Sequence, residues 1–354
     1  MRSIFSKAVL LFMAAILSAC GLGPFGSVPP TAELPTEVPA TEIATVEVAA
    51  TEAPIVHTTI PSEPAKNLGN ASDNDEVNSS EDRDVNFGDD FLHNRFERPF
   101  TTEMAEYLPE VDIVNFSIGE DDNFFYVTLN LAGVANPGQF PTGHYAIELD
   151  SNIDGRGELL IVANPSFGGD WSTDGVQIFA DDNGDVGGND PKRSDSDYIG
   201  DGYEKLMFDS GVGANPDLGW SRFVNGDTPA IQIAFNKVIF PATPQFMWSV
   251  WASASQFDTT KFNLHDSTTA DAAGSPDKQS NQYPIKNIAG IDNSCRVPVG
   301  FTATGFEPLG CPVAGVVETE TEAEEAPSSP SNPGITITVV NICQQYPALC
   351  ELNP

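Results

Sequence analysis

YAIELDSNIDGRGELLIVANPSFGGDWSTDGVQIFADDNGDVGGND, residues 145–190, decides the fold. It holds three short apolar runs, Tyr145 to Leu149, Leu159 to Val162 and Val176 to Ala180, each too short for a stable helix and each closed by Gly, Asp and Asn. Such runs, bounded by turn residues, predict successive antiparallel strands. The loops between them share a second property. Asp150, Asn152 and Asp154, followed by Gly155, and Asp181, Asn183 and Asp185 both follow the pattern D-x-N-x-D. That spacing places side-chain oxygens at alternate positions of a tight turn, as a hard cation such as Ca²⁺ requires. Glu158, or a carboxylate from elsewhere such as Asp182 or Asp185, would complete the coordination. An EF-hand is excluded, because Ile161 stands where its bidentate glutamate belongs and strands flank the loop. The alternative is a plain solvated turn, in which Asp and Asn bond their own backbone.

Outward from this stretch the pattern continues. Val114, Phe116 and Ile118 alternate with polar residues, the turn Gly119 to Asn123 follows, and Phe125, Val127, Leu129 and Leu131 alternate again. This is a hairpin. Leu206 to Phe208, Trp220 to Phe223, Ile231 to Phe235 and Phe246 to Ala252 are further strand candidates, and no clean helical period of several turns intervenes. Many short strands separated by turn signals predict an all-β antiparallel sandwich.

The chain has 354 residues and a formal net charge of −35, from 51 acidic and 16 basic side chains. Such a surface repels nucleic-acid phosphates and anionic lipid heads, so a nucleic-acid partner is not expected. Arg2 and Lys7 precede an apolar segment, Ala8 to Leu17, too short to span a bilayer comfortably, which reads as a secretion signal over residues 1–19. Leu17, Ser18, Ala19 and Cys20 resemble the lipobox of bacterial lipoproteins. That resemblance implies cleavage before Cys20, diacylation of Cys20, and an extracytoplasmic location with the membrane as partner through the lipid. Residues 20–90, rich in Pro, Thr and Glu and then in polar and acidic residues, read as a solvated tether. Residues 91–315 carry the globular pattern. Residues 316–354 form an acidic linker and a small cysteine-containing tail. With Cys20 set aside, Cys295, Cys311, Cys343 and Cys350 remain, and in an exported chain proximity favours the pairs Cys295 with Cys311 and Cys343 with Cys350 among three pairings.

The sequence contains no GxSxG, HExxH or P-loop motif, and its histidines are His57, His93, His144 and His265, so a non-catalytic role is expected. Paired carboxylates for glycoside hydrolysis stay open, because their separation is spatial. Of the four tryptophans, Trp220 and Trp248 read as core. Trp171, in the polar loop GGDWSTDG, and Trp251, on the strand face opposite Trp248, are the candidate sugar-stacking platforms.

The runs VDIVNFSIGEDDNFFYVTLNLAG, YAIELDSNIDGRGE and AIQIAFNKVIF, within Val111 to Ala252, resemble DOMON-like and family 9 carbohydrate-binding-module sandwiches. The resemblance implies sugar binding at Trp171 or Trp251, and calcium at Asp150, Asn152 and Asp154. It also leaves open haem, for which Met207 or Met247 with His144 is the axial pair to consider. The function expected is a tethered, calcium-stabilised module binding extracellular polysaccharide or cell-wall glycan. The alternative is a structural or adhesion lipoprotein binding other surface proteins, and buried tryptophans would favour it.

Overall fold

The computed structural model describes residues 54–316, apart from 86, 103–104, 137, 194–195, 241–243 and 315. The signal segment, Cys20, the tether as far as residue 53, Cys343 and Cys350 lie outside the described residues. Among the described residues no helix is long and apolar enough to cross a membrane.

The expected all-β sandwich is present. One sheet has five strands, in the order β1 (Lys66–Ser72), β3 (Ile113–Glu120), β4 (Phe124–Leu131), β11 (Ala230–Asn236) and β10 (Gly219–Val224). The second runs from β2 (Glu97–Arg98) through β13 (Ile291–Asn293), β12 (Phe246–Ser253), β5 (His144–Asp150), β6 (Leu159–Ala163), β7 (Val176–Ala180) and β8 (Lys205–Asp209) to β9 (Val212–Gly213). In that second sheet β14 (Val297–Val299) also pairs with β12. Every named strand pair is antiparallel.

The two sheets differ in how their sequences read, and burial explains why. β4 alternates, with Phe125, Val127, Leu129 and Leu131 in the core between the sheets and Thr128 and Asn130 partly exposed. β12, FMWSVWAS, is buried at every residue. Its outer face is roofed, so both faces demand burial and the period-two signal disappears. The roof brings Phe91 and Phe96 together with Phe262, Ala273 and Ile288 over Ala146, Leu160 and Trp251. It includes two short helices, α1 (Leu264–Ser267) and α2 (Ala270–Ala273). Arg98, fully buried, ties it down. Its guanidinium donates to the carbonyls of Ala273, Gly274 and Ile288 and pairs with Asp89 at 2.7 Å.

The expected tether boundary at residue 90 is corrected. β1 adds a full edge strand to β3, from Lys66 opposite Glu120 to Ser72 opposite Asn115. Ahead of it, Asp217 accepts hydrogen bonds from the N–H groups of Thr58 and Thr59 (both 2.8 Å) and the Thr58 hydroxyl (2.9 Å), and lies 2.7 Å from His57 Nδ1. The His57 ring packs on Trp220. Polar composition suggested solvent, yet an edge strand needs few apolar residues when a partner satisfies its backbone. At the other end, Cys295 and Cys311 form the expected disulfide, with Cα atoms 4.8 Å apart.

Candidate functional site

The loop between β5 and β6 is held by its own acids. Ile153 and Gly155 adopt positive φ, 63° and 98°, which turns their N–H groups inward. Asp150 Oδ1 accepts from Ile153 N–H at 2.6 Å, and Oδ2 accepts from Gly155 N–H at 2.9 Å and from Arg296 Nη1 at 2.8 Å. Asn152 accepts from Asp154 N–H, Asp154 from Arg156 N–H, and Glu158 from the Ser151 N–H and hydroxyl. Oxygens of Asp150, Asp154 and Glu158 all lie within 4.8 Å of one another, so three of the four expected ligands are brought together. The buried Arg296 already faces this group, 3.2 Å from Glu148 and 2.8 Å from Asp150. Arg296 thus partly neutralises Asp150, and the loop also carries the backbone-to-side-chain bonds of a self-bonded turn.

The second loop follows that alternative further. Asp181 accepts from the N–H groups of Asn183, Gly184 and Val186. The Asn183 amide donates to Asp201 at 2.6 Å, and Asp185 accepts from the N–H groups of Asp201 and Gly202. Asp181 thus closes its own turn, while Asn183 and Asp185 both reach Asp201.

Trp251 is also corrected. It is 1% exposed, packed between Phe96 and Phe262, and offers no face to a ligand. The strand alternation was read rightly, with Trp248 pointing to the other face against Phe116, but the roof covers what alternation alone assigned to solvent. Trp220 is buried as well. Trp171 differs. It is partly exposed, donates from Nε1 to Ser62 O at 3.1 Å, and lies over the Arg222 guanidinium, 4.5 Å from Cζ to the ring centroid.

Arg222 begins a cross-strand row on the outer face of the five-stranded sheet. Arg222 stands opposite Gln232, Gln232 opposite Thr128, Thr128 opposite Ser117, and Ser117 opposite Asn70. Side-chain bonds run along it, from Arg222 Nε to Gln232 Oε1 (2.7 Å) and from Gln232 Nε2 to Thr128 Oγ1 (3.1 Å). A parallel pair, Asn130 and Asn115, bonds at 2.5 Å. Every residue of this row is partly or fully exposed. Amide and hydroxyl groups in register, flanked by an indole, form a surface suited to a polyhydroxylated ligand.

A further cluster was missed by sequence reasoning. Asp73 at the end of β1, Glu97 on β2, Asp112 before β3 and Asp292 on β13 meet below the surface, beside Glu76. Oxygens of Glu97, Asp112 and Asp292 lie within 4.8 Å of one another, and Glu97 and Asp292 are directly opposed across the β2–β13 pair. Asp112 Oδ2 accepts from Tyr107 Oη (2.6 Å) and Glu76 N–H (2.9 Å), and Asp292 Oδ2 accepts from Ile113 N–H (2.6 Å). Burial pushes Asp112 up to about 7 and Asp73 up to about 6, against the pull of Arg95 on the latter. Burial and mutual repulsion push Glu97 and Asp292 well above the carboxylate range. These acids come from widely separated segments, so no local motif announces them. The available signal was an acid beside apolar strand residues, as in GIDN at Asp292 and VDIV at Asp112.

No family model, no curated protein and no solved structure matches this chain. Fold and site define an all-β sandwich with a polar sheet face and a buried carboxylate cluster.

Proposed function

We propose that the protein is a membrane-anchored extracytoplasmic lipoprotein whose cation-stabilised sandwich binds carbohydrate without chemical conversion. The lipid on Cys20 would hold it at the membrane. The observation that supports the glycan half is the row Asn70, Ser117, Thr128, Gln232 and Arg222, bounded by Trp171 over the guanidinium. Sugar hydroxyls need donors and acceptors in fixed register, and a rigid sheet supplies them with little ordering cost.

Affinity electrophoresis and a glycan array test this reading. The wild-type protein is expected to be retained by at least one polysaccharide, and Trp171→Ala and Gln232→Ala each to reduce that retention by about tenfold, since each removes roughly 1–1.5 kcal/mol of contact. Absence of retention on every glycan would discard it. The burial of Trp251 favours a second reading, adhesion to other surface proteins, because it leaves one aromatic platform, Trp171, where two were expected. Retention on a protein partner that survives both variants would establish that second reading.

A further inference from the structure

Each of four buried carboxylates has one oxygen engaged and the other bare. Asp292 Oδ2 accepts from Ile113 N–H, Asp112 Oδ2 from Tyr107 and Glu76, Glu97 Oε2 from the Asn74 amide (3.4 Å) and Asp73 Oδ1 from Asn74 N–H (3.1 Å). Asp292 Oδ1, Asp112 Oδ1, Glu97 Oε1 and Asp73 Oδ2 are buried and meet no hydrogen-bond donor. A bare carboxylate oxygen away from water is costly, and four in one place multiply the cost. Opposed like charges on neighbouring strands are destabilising in their own right, and Glu97 faces Asp292 in this way. Compensation within the protein is slight. Among the described residues the ion pair reaching this group is Arg95 Nη2 to Asp73 Oδ1, at 3.9 Å.

We infer that Asp73, Glu97, Asp112 and Asp292 together hold a divalent cation of the calcium class, with Glu76 at the margin of the site. The donors are all carboxylate oxygens, with no thiolate or imidazole among them, which selects a hard ion over zinc or copper. Oxygens of Glu97, Asp112 and Asp292 lie within 4.8 Å of one another, which suits a sphere with metal–oxygen distances of about 2.3–2.6 Å, and Asp73 stands close enough to repel Glu97 and Asp292. Four anionic ligands from separate segments favour the irregular, many-oxygen shell of calcium over the compact octahedron and retained waters of magnesium. Asp73 and Asp112 belong to the five-stranded side and Glu97 and Asp292 to the nine-stranded side, so the ion would clasp the two sheets. This inference rests on the cation-stabilised half of the reading above, to which it gives a location, and is independent of the glycan half.

The test uses the full chain, freed of metal by chelation, with Ca²⁺ alone as titrant in calorimetry and thermal melts in CaCl₂ or EDTA. Wild type is expected to bind Ca²⁺ and to melt higher with it. Glu97→Gln and Asp292→Asn are expected to lose at least about tenfold in affinity, as for even outer-shell changes at metal sites, whereas Asp154→Asn keeps wild-type affinity. In EDTA, Glu97→Gln is expected to melt at or above wild type, because an acid opposed to Asp292 gives way to an amide that can donate to its bare oxygen, and that result shows the variant folded. No Ca²⁺ binding by wild type, full affinity in both Glu97→Gln and Asp292→Asn, or loss of affinity in Asp154→Asn alone would each overturn the inference. A blank glycan array in the presence of Ca²⁺ bears only on the ligand and leaves these titrations unchanged.

Discussion

At Trp251 the indole centroid lies 4.8 Å from that of Phe262 and 5.9 Å from that of Phe96, in a cluster that also takes in Ala146 and Leu160. Its energetic role is therefore packing. Trp251→Ala should lower unfolding free energy by about 3–5 kcal/mol, measured by denaturant titration, and leave glycan retention per folded molecule unchanged. A loss of retention with little loss of stability would contradict the burial. The residue also marks a limit of sequence reading. Alternation along Phe246 to Ser253 correctly separated Trp248 from Trp251, but whether the second face meets solvent depends on residues 91–100 and 257–292, which no pattern within the strand encodes.

Among the elements, the strands read most clearly in the sequence were those bounded by their own turns and marked either by apolar alternation, as β3, β4 and β7 are, or by a continuous apolar run, as β5 and β6 are. β1, KNLGNAS, has almost no apolar content, and β14, VPV, contains a proline, so both owe their conformation to a neighbour. The carboxylate cluster was illegible for a related reason, since its members share a place in space and no spacing in the chain. Asp217 anchors the segment ahead of β1. Burial alone would raise its pKa, yet the Thr58 N–H, the His57 ring, the Thr59 N–H and the Thr58 hydroxyl together hold it below the ordinary aspartate range. A carboxyl with a depressed folded-state pKa contributes stability above its unfolded value of about 3.9 and loses it as pH falls below that value. Asp217→Asn should thus cost about 1–3 kcal/mol at pH 7 and progressively less below pH 4. Hydrogen exchange at Thr58 and Thr59 is the measurement, and unchanged protection would refute the anchoring.

For the molecule as a whole, residues 295–311 are tied to the body by a covalent link as well as by the packing of Val297, Val299 and Cys311 against the main core. The Cys295–Cys311 link closes a loop with a sequence separation of 16, and constraining such a loop in the unfolded chain is worth about 3 kcal/mol. Replacing both cysteines by serine should lower stability by roughly that amount in a denaturant titration, and an unchanged midpoint would show that this segment does not take part in the cooperative transition.

The partners of β2 have a consequence for how the molecule is made. Ile113 donates to Asp292 across 179 residues, and Phe96 N–H finds its acceptor on Asn293 across 197. A chain delivered from its amino end cannot close this corner until nearly the whole body has been synthesised. Contacts of such long range come late, after most loop-closure entropy has been lost. Fragments ending short of residue 290 should therefore leave β2 and its acids in water, an assembly order that makes the corner a checkpoint for completeness of the chain.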